Sequence, residues 1–195
     1  MLRAVLRGHT IKLLIAAVLL TMQPAAYAAD FKIDPAHSFV QFRIKHLGYS
    51  WLMGRFNDVS GSLTWDESTP TKSAINVTVA TASIDTNHTK RDQHIKGEDF
   101  LEVDKFPTAT FVSKAYEGSA DAGTLSGDLS IHGVTRSVSF PVKRIGQGDD
   151  PWGGYRVGFE GTLPLTRADY GVTYNLGPTS TTMQLELFVE AIRAK

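Results

Sequence analysis

The stretch VQFRIK, Val40 to Lys45, sets Val40, Phe42 and Ile44 in step with Gln41, Arg43 and Lys45. A period of two sends alternate side chains to opposite faces of an extended strand, so this segment has one oily side and one wet side. The pattern recurs where Val59, Gly61, Leu63 and Trp65 alternate with Ser60, Ser62 and Thr64. It returns at Ile75, Val77, Val79; at Ala109, Phe111, Ser113; at Leu125, Gly127, Leu129, Ile131; and at Val138, Phe140, Val142. Two later runs follow, Tyr155, Val157, Phe159, Gly161, Leu163 and Met183, Leu185, Leu187, Val189. Glycine, proline, aspartate and asparagine break the runs, as turns between strands require. About eight strands with one apolar face each predict an all-β fold, an antiparallel barrel or sandwich. Within SGDLSIHGVTRSVSF, Ser126 to Phe140, the pair His132-Gly133 stands between two runs, where glycine supplies the positive φ of a tight hairpin. GQGDDPWGG, Gly146 to Gly154, reads as a longer hairpin loop.

Residues 1–28 stand apart from this pattern. Arg3, Arg7 and Lys12 precede the apolar run LLIAAVLLTM, and Ala26-Tyr27-Ala28 has the small-x-small form of a signal peptidase site. A secretory leader cleaved after Ala28 is predicted, which sends the chain to the periplasm. The run is shorter than the roughly 20 residues of a spanning helix, and no second one follows, so stable membrane insertion is not expected. Taking 28 residues from 195 leaves 167, residues 29–195, which suit one domain with a sizeable core. The leader holds three of the 20 basic residues and none of the 20 acidic ones, so the mature chain has 17 against 20. That balance argues against nucleic acid as a partner. With no cysteine in the chain, disulfides, thiol nucleophiles and thiolate metal sites are all excluded.

The polar stretch TNHTKRDQHIKGEDF, Thr86 to Phe100, interrupts the strands. Asp85 or Thr86 as a cap, and Asp92 four residues before Lys96, predict a short helical connector around residues 86–100. His88 and His94, six apart, fall about 240° apart around a helix and cannot share one ion. Arg91 and His94 share a face, with Glu98 four residues beyond, and the cluster reads first as an ordered connector. The competing reading is an enzyme that uses Arg91, Asp92 and His94 as an acid–base cluster. No GxSxG elbow exists for a nucleophile, and Asp149-Asp150 lacks the spacing of a calcium loop. His37, His46, His88, His94 and His132 are scattered, and spacing brings no pair together, so neither metal nor cofactor is expected. Trp51, Trp65 and Trp152 read as core or loop anchors ahead of cavity-mouth residues.

If the strands close into a barrel, their inward side chains form an oily wall of Val40, Phe42, Ile44, Val77, Val79, Phe111, Leu129, Ile131, Val138, Phe140, Phe159, Leu185 and Leu187. An eight-stranded barrel is either filled by its own side chains or holds one small ligand. Gly61, Ala109, Ser113, Gly127 and Gly161 on that wall either leave a tunnel free or let the strands bend for closure. About twenty buried methylene-sized groups at ~0.8 kcal/mol each give roughly 16 kcal/mol gross. That exceeds most association costs of about 4 to 15 kcal/mol, so a lipid needs no charged anchor for affinity.

Four segments carry a further resemblance: IDPAHSFVQFRIKHLGYSWLMGRF (Ile33 to Phe56), SIDTNHTKRDQHIKGEDFLEVDKFPTATF (Ser83 to Phe111), LSGDLSIHGVTRSV (Leu125 to Val138) and IGQGDDPWGG (Ile145 to Gly154). Together they resemble the YceI-like family of periplasmic polyisoprenoid-binding proteins, over essentially all of Ala29 to Lys195. The resemblance implies an extended, lipocalin-like, antiparallel eight-stranded barrel with a helical connector and a long apolar tunnel. It implies a ligand with a long isoprenoid chain, a polyprenyl quinone precursor or another amphiphilic lipid, that the protein sequesters or carries, with links to transport and stress responses. No catalytic residue is carried over, and a homodimer is left open. Arg91-Asp92-Gln93-His94 matches the R-D-x-H signature of the family's connector, which the resemblance makes a structural clasp beside the tunnel.

Overall fold

The computed structural model describes residues 28–195, in which the alternating runs pair into a single antiparallel sheet. The predicted leader lies, except for Ala28, outside the described residues. In chain order the elements are β1 (Ala29–Ile33), β2 (Phe39–His46), β3 (Ser50–Phe56), β4 (Val59–Trp65), β5 (Ala74–Ala80), β6 (Ile84–Asp85), α1 (Thr89–Lys96), β7 (Thr108–Gly118), β8 (Ala122–Ile131), β9 (Val134–Asp149), β10 (Tyr155–Thr166) and β11 (Thr182–Arg193).

These eleven strands make eight staves. β1 and β2 lie end to end along β11, with Ile33 opposite Ala191 and Val40 opposite Leu187. β3 and β4 run back along them, with Phe56 opposite Val40 and Ser62 opposite Lys32. β5 and β6 form the third stave, against β4 and β3 respectively. β7 pairs with β5, from β8 to β11 each strand pairs with its predecessor, and β11 pairs with the first stave to close the ring. The predicted eight-stranded antiparallel barrel is therefore present. β1 and β3 are two segments that the period-two pattern did not single out.

The joint in the first stave is an ordered turn. Asp34 N–H donates to the carbonyl of Glu190 at 2.8 Å, and the buried Ser38 hydroxyl takes part in bonds with both the N–H and the carbonyl of Glu190. One side chain thus supplies what the interrupted ladder lacks.

Between β8 and β9 only His132 and Gly133 intervene, with φ of 52° and 75°. Two consecutive left-handed residues make the type I′ turn that matches the twist of a hairpin. The predicted loop at Gly146 to Gly154 is shorter than expected, because β9 runs on to Asp149 and only Asp150–Gly154 turns the chain. Asp150 closes that turn by accepting from the N–H groups of Trp152 and Gly154.

β9 and β10 separate beyond Val142 and Gly161. Pro141 and Pro164 stand just past that point, and neither can donate a ladder hydrogen bond. Val138 and Leu163 border the shallow gap that results.

The connector is helical over Thr89–Lys96, but its cap is His88, whose Nδ1 accepts from Arg91 N–H at 3.2 Å. Asp85 and Thr86, the expected caps, do other work. Asp85 accepts from Asn87 N–H, and Thr86 binds the carboxylate of Asp92 through both its N–H and its hydroxyl. Asp92 therefore turns back to Thr86, while Lys96 contributes instead to holding the Asp85 carboxyl low, behind the bonds from Asn87 and Asn57.

Candidate functional site

The inward faces of the staves enclose two adjoining apolar chambers. The inner one, ≈ 170 Å³, is walled by β4, β5 and the facing parts of β7 to β11. Its floor is a tight cluster of Phe31, Leu63, Trp65, Val157 and Ala191, all buried. The Trp65 ring meets Phe159 edge-on at 4.9 Å and Tyr116 at 6.3 Å, and its N–H reaches Gln147 Oε1 at 3.1 Å. A tryptophan there seals one end of the barrel with its polar atom satisfied.

The outer chamber, ≈ 650 Å³, lies beyond the joints, between β2, β3, β6, the connector and residues 165–180. Phe56, Leu101, Ile131 and Leu185 line both chambers and form their common neck. At the outer rim Leu47 and Tyr174 are exposed, so the chamber reaches the surface between the β2–β3 turn and the loop before β11.

Among the thirteen side chains predicted to line a tunnel, Val40, Val77, Val79, Phe111, Leu129, Ile131, Phe140, Phe159, Leu185 and Leu187 face the inner chamber. Phe42 and Ile44 face the outer one. Val138 faces neither; it packs on the main core cluster and borders the gap between β9 and β10. The outer chamber also uses residues outside that set: Leu52 and Phe56 from β3, Ile95, Phe100 and Leu101 from the connector, and Tyr170, Val172 and Leu176 beyond β10. Of the small residues, Ala109 and Gly161 line the inner chamber. Gly127 serves close packing, since a Cβ there would lie 2.4 Å from the carbonyl of Val112 and 2.7 Å from the Phe111 ring. Ser113 spends its hydroxyl accepting from Ile75 N–H at 2.8 Å.

Charge on the outer chamber is one-sided. His46, Arg91, His94 and Arg167 line it, Lys45 stands at its rim with its ammonium over Trp51 on the outer face, and among the described residues no carboxylate residue lines it. Arg91 donates to the hydroxyl of Thr86 at 2.7 Å and to its carbonyl at 2.5 Å, and so clamps the start of the connector onto the helix. Arg167 donates to the carbonyls of Ser180, Val172 and Tyr174, which ties the roof loop together; burial pushes its pKa down. His94 pairs with Asp99 at 2.8 Å, not with Glu98, and its ring meets Phe100 and Tyr174 edge-on near 5 Å. Arg91, Asp92 and His94 thus each hold a structural partner.

Trp51 and Trp152 are exposed. Trp51 lies on the outer face of β3 under Lys45, whose Nζ is 4.1 Å from the ring centre, and Trp152 tips the β9–β10 turn.

The fold also joins groups that spacing kept apart. Asp34, His37 and Glu190 bring carboxylate and imidazole atoms within 4.8 Å of one another at the first joint. A cation already sits among them: Arg156 Nη1 donates to Asp34 at 2.7 Å and to Glu190 at 2.5 Å, while its Nε donates to Asp150 at 2.8 Å. Burial pushes the Asp34 carboxyl up, but bonds from His37 and Arg156 outweigh that and hold it at about 2. The cluster is an ion-pair lock between the first stave, β10 and β11.

Comparison with known proteins agrees with this architecture. A family model described as the YceI-like domain matches residues 31–191. A UPF0312 protein of Pseudomonas aeruginosa (strain LESB58) is 53% identical over 170 residues, covering 86% of this chain and 89% of the relative. The crystal structure of BcnA from Burkholderia cenocepacia superposes with a TM-score of 0.73 at 24% identity, over 81% of this chain and 98% of that one. A polyisoprenoid binding domain from Saccharophagus degradans, implicated in plant cell wall breakdown, has a TM-score of 0.64 at 18% identity, over 86% of this chain and 100% of that one.

Proposed function

The chain belongs to the YceI-like family, and from that premise we propose that it binds a long-chain isoprenoid or similar amphiphilic lipid, sequestering or carrying it in the periplasm. The observation that carries this reading is the pair of joined apolar chambers along the barrel axis, sealed at one end by Trp65 and reaching the surface at the other. A hydrocarbon tail gains by leaving water for such a wall at about 25 cal/mol per Å² of apolar surface. The tail occupies the inner chamber and the neck, and the polar end of the molecule stays in the outer chamber, where the chain offers its polar groups. The Saccharophagus domain, named as polyisoprenoid binding, supports the class of ligand. The leader predicted at residues 1–28 supports the compartment.

The rival, an enzyme using Arg91, Asp92 and His94, has weaker support. A general acid or base needs an atom free to reach a substrate, and these three already serve Thr86 and Asp99. The test is organic extraction of the protein purified from its own host, followed by mass spectrometry. A stoichiometric prenyl-chain lipid is expected; protein that yields no lipid under conditions where it is folded would overturn the reading.

A further inference from the structure

The β2–β3 hairpin carries an apolar surface that, among the described residues, no other strand, helix or loop covers. Leu47 is 57% exposed, Tyr49 87%, Trp51 48% and Met53 57%. The pairing register places Trp51 opposite Lys45 and Met53 opposite Arg43, on the face turned away from the barrel. The far edge of β3 is unpaired from Ser50 to Gly54, because β6 meets only Arg55 and Phe56. From Phe39 to Asn57 the chain holds Arg43, Lys45, His46 and Arg55 and not one acidic residue, although the whole chain is neutral. Arg43 and Arg55 have carboxylate partners in Glu186 and Asp85, whereas Lys45 lies over the Trp51 ring.

We propose that this hairpin docks the protein on an anionic lipid bilayer, so that the outer chamber opens against the membrane surface. This rests on the lipid-binding reading, since a carrier has to meet its cargo where the cargo dissolves. Three features select a membrane. Tyr and Trp with one apolar body and one polar tip belong at the level of lipid head groups. Lysine beside them adds attraction to anionic head groups, within the first nanometre of the surface. The hairpin also forms the rim of the chamber, for Lys45, His46 and Leu47 line it as well. A second copy of the chain fits less well, because pairing β3 with its twin gathers basic residues from both hairpins and brings no added carboxylate to meet them.

The test is sedimentation with vesicles of phosphatidylethanolamine and phosphatidylglycerol, with phosphatidylcholine vesicles as the neutral control. Wild-type protein should pellet with the anionic vesicles and weakly with the neutral ones. Tyr49→Ser with Trp51→Ser should lower partitioning by about tenfold or more, through the loss of buried ring area. Lys45→Glu, which exchanges one charge for its opposite, should lower it about thirtyfold on anionic vesicles only. Brominated lipids should quench Trp51, while Trp152→Phe, at the other end of the barrel, should change nothing. All the substituted side chains are exposed or half-exposed, so the variants are expected to fold. The proposal is overturned if wild-type protein stays in the supernatant, if the hairpin variants pellet as it does, or if they instead dissolve a dimer seen by analytical ultracentrifugation. Lipid extracted from the same preparations separates the two readings: vesicle binding without cargo sinks the carrier and leaves the docking surface, and cargo without vesicle binding does the reverse.

Discussion

Ala109→Trp should cut the cavity in two without touching the rim. Ala109 lies on β7 opposite Val79, with its side chain on the inner chamber. That chamber measures ≈ 170 Å³, so an indole projecting into it leaves no passage for a chain. Each isoprene unit has five carbons, and at ~0.8 kcal/mol per buried methylene-sized group, excluding one unit forfeits roughly 4 kcal/mol. This corresponds to about a thousandfold in affinity. A chain short enough to lie in the outer chamber, ≈ 650 Å³ and unaltered, should bind almost as before. The assay is displacement of a fluorescent apolar dye by farnesol and by a long polyprenol, together with the lipid content of protein made in its own host. Circular dichroism and a thermal melt establish folding, and Val77→Trp, from the neighbouring stave, is the second variant if the first does not fold. A folded Ala109→Trp protein that holds the long polyprenol within about threefold of wild type refutes the two-chamber account.

Removing Arg156 should be costly, because Asp34, Asp150 and Glu190 lose their shared cation while Asp34 and Asp150 remain poorly exposed. Arg156→Ala is expected to lower the midpoint of urea unfolding, and an unchanged midpoint would show that the lock is ornamental. The same cluster predicts acid sensitivity. Asp34 titrates at about 2 in the folded protein, below its ordinary value of 3.8, so its stabilisation is full above that value and is lost as pH falls toward 2. Discounted for solvent around the cluster, the loss is about 1–2 kcal/mol between pH 5 and 2, and Asp34→Asn should flatten that part of the stability profile. His94→Ala removes a half-exposed pair with Asp99 and the ring's edge contacts with Phe100 and Tyr174, and should leave lipid content unchanged at a modest cost in stability; an abolished turnover with full lipid content would favour the enzyme.

The barrel was legible wherever one face of a strand is oily and the other wet. β3 was not, and the reason is physical. In SWLMGRF the inward Leu52 alternates with outward Trp51 and Met53, so both faces are apolar and the period vanishes. β1 offers only Phe31 and Ile33 as large inward side chains, with the small Ala29 before them, too few positions for a period to register. The inner chamber was readable because its wall is strand, whereas the outer chamber draws on Ile95, Phe100, Leu101, Val172 and Leu176, which stand in segments that have no repeat. The lock around Arg156 joins positions 34, 150, 156 and 190, and no spacing rule links residues that closure alone brings together.

The three joints account for the difference in size between the chambers. Asp34–Ser38, Asn57–Asp58 and Thr81–Ser83 interrupt neighbouring staves side by side; Asn57 N–H donates to Ser83 and Ala80 N–H to Asp58 across the second and third. An unbroken eight-stave barrel stands at the size its own side chains can fill. Below the joints that limit holds, and β4, β5 and the facing strands leave ≈ 170 Å³. Above them the third stave ends after the two residues of β6, and the wall passes to the connector, which Arg91 and Asp92 fasten through Thr86. A helix and loop in place of a strand set the wall back, and the cavity there grows to ≈ 650 Å³. The polar run from Thr86 to Phe100 thus holds open the wide end of the barrel, and its histidines and carboxylates serve that shape before any chemistry.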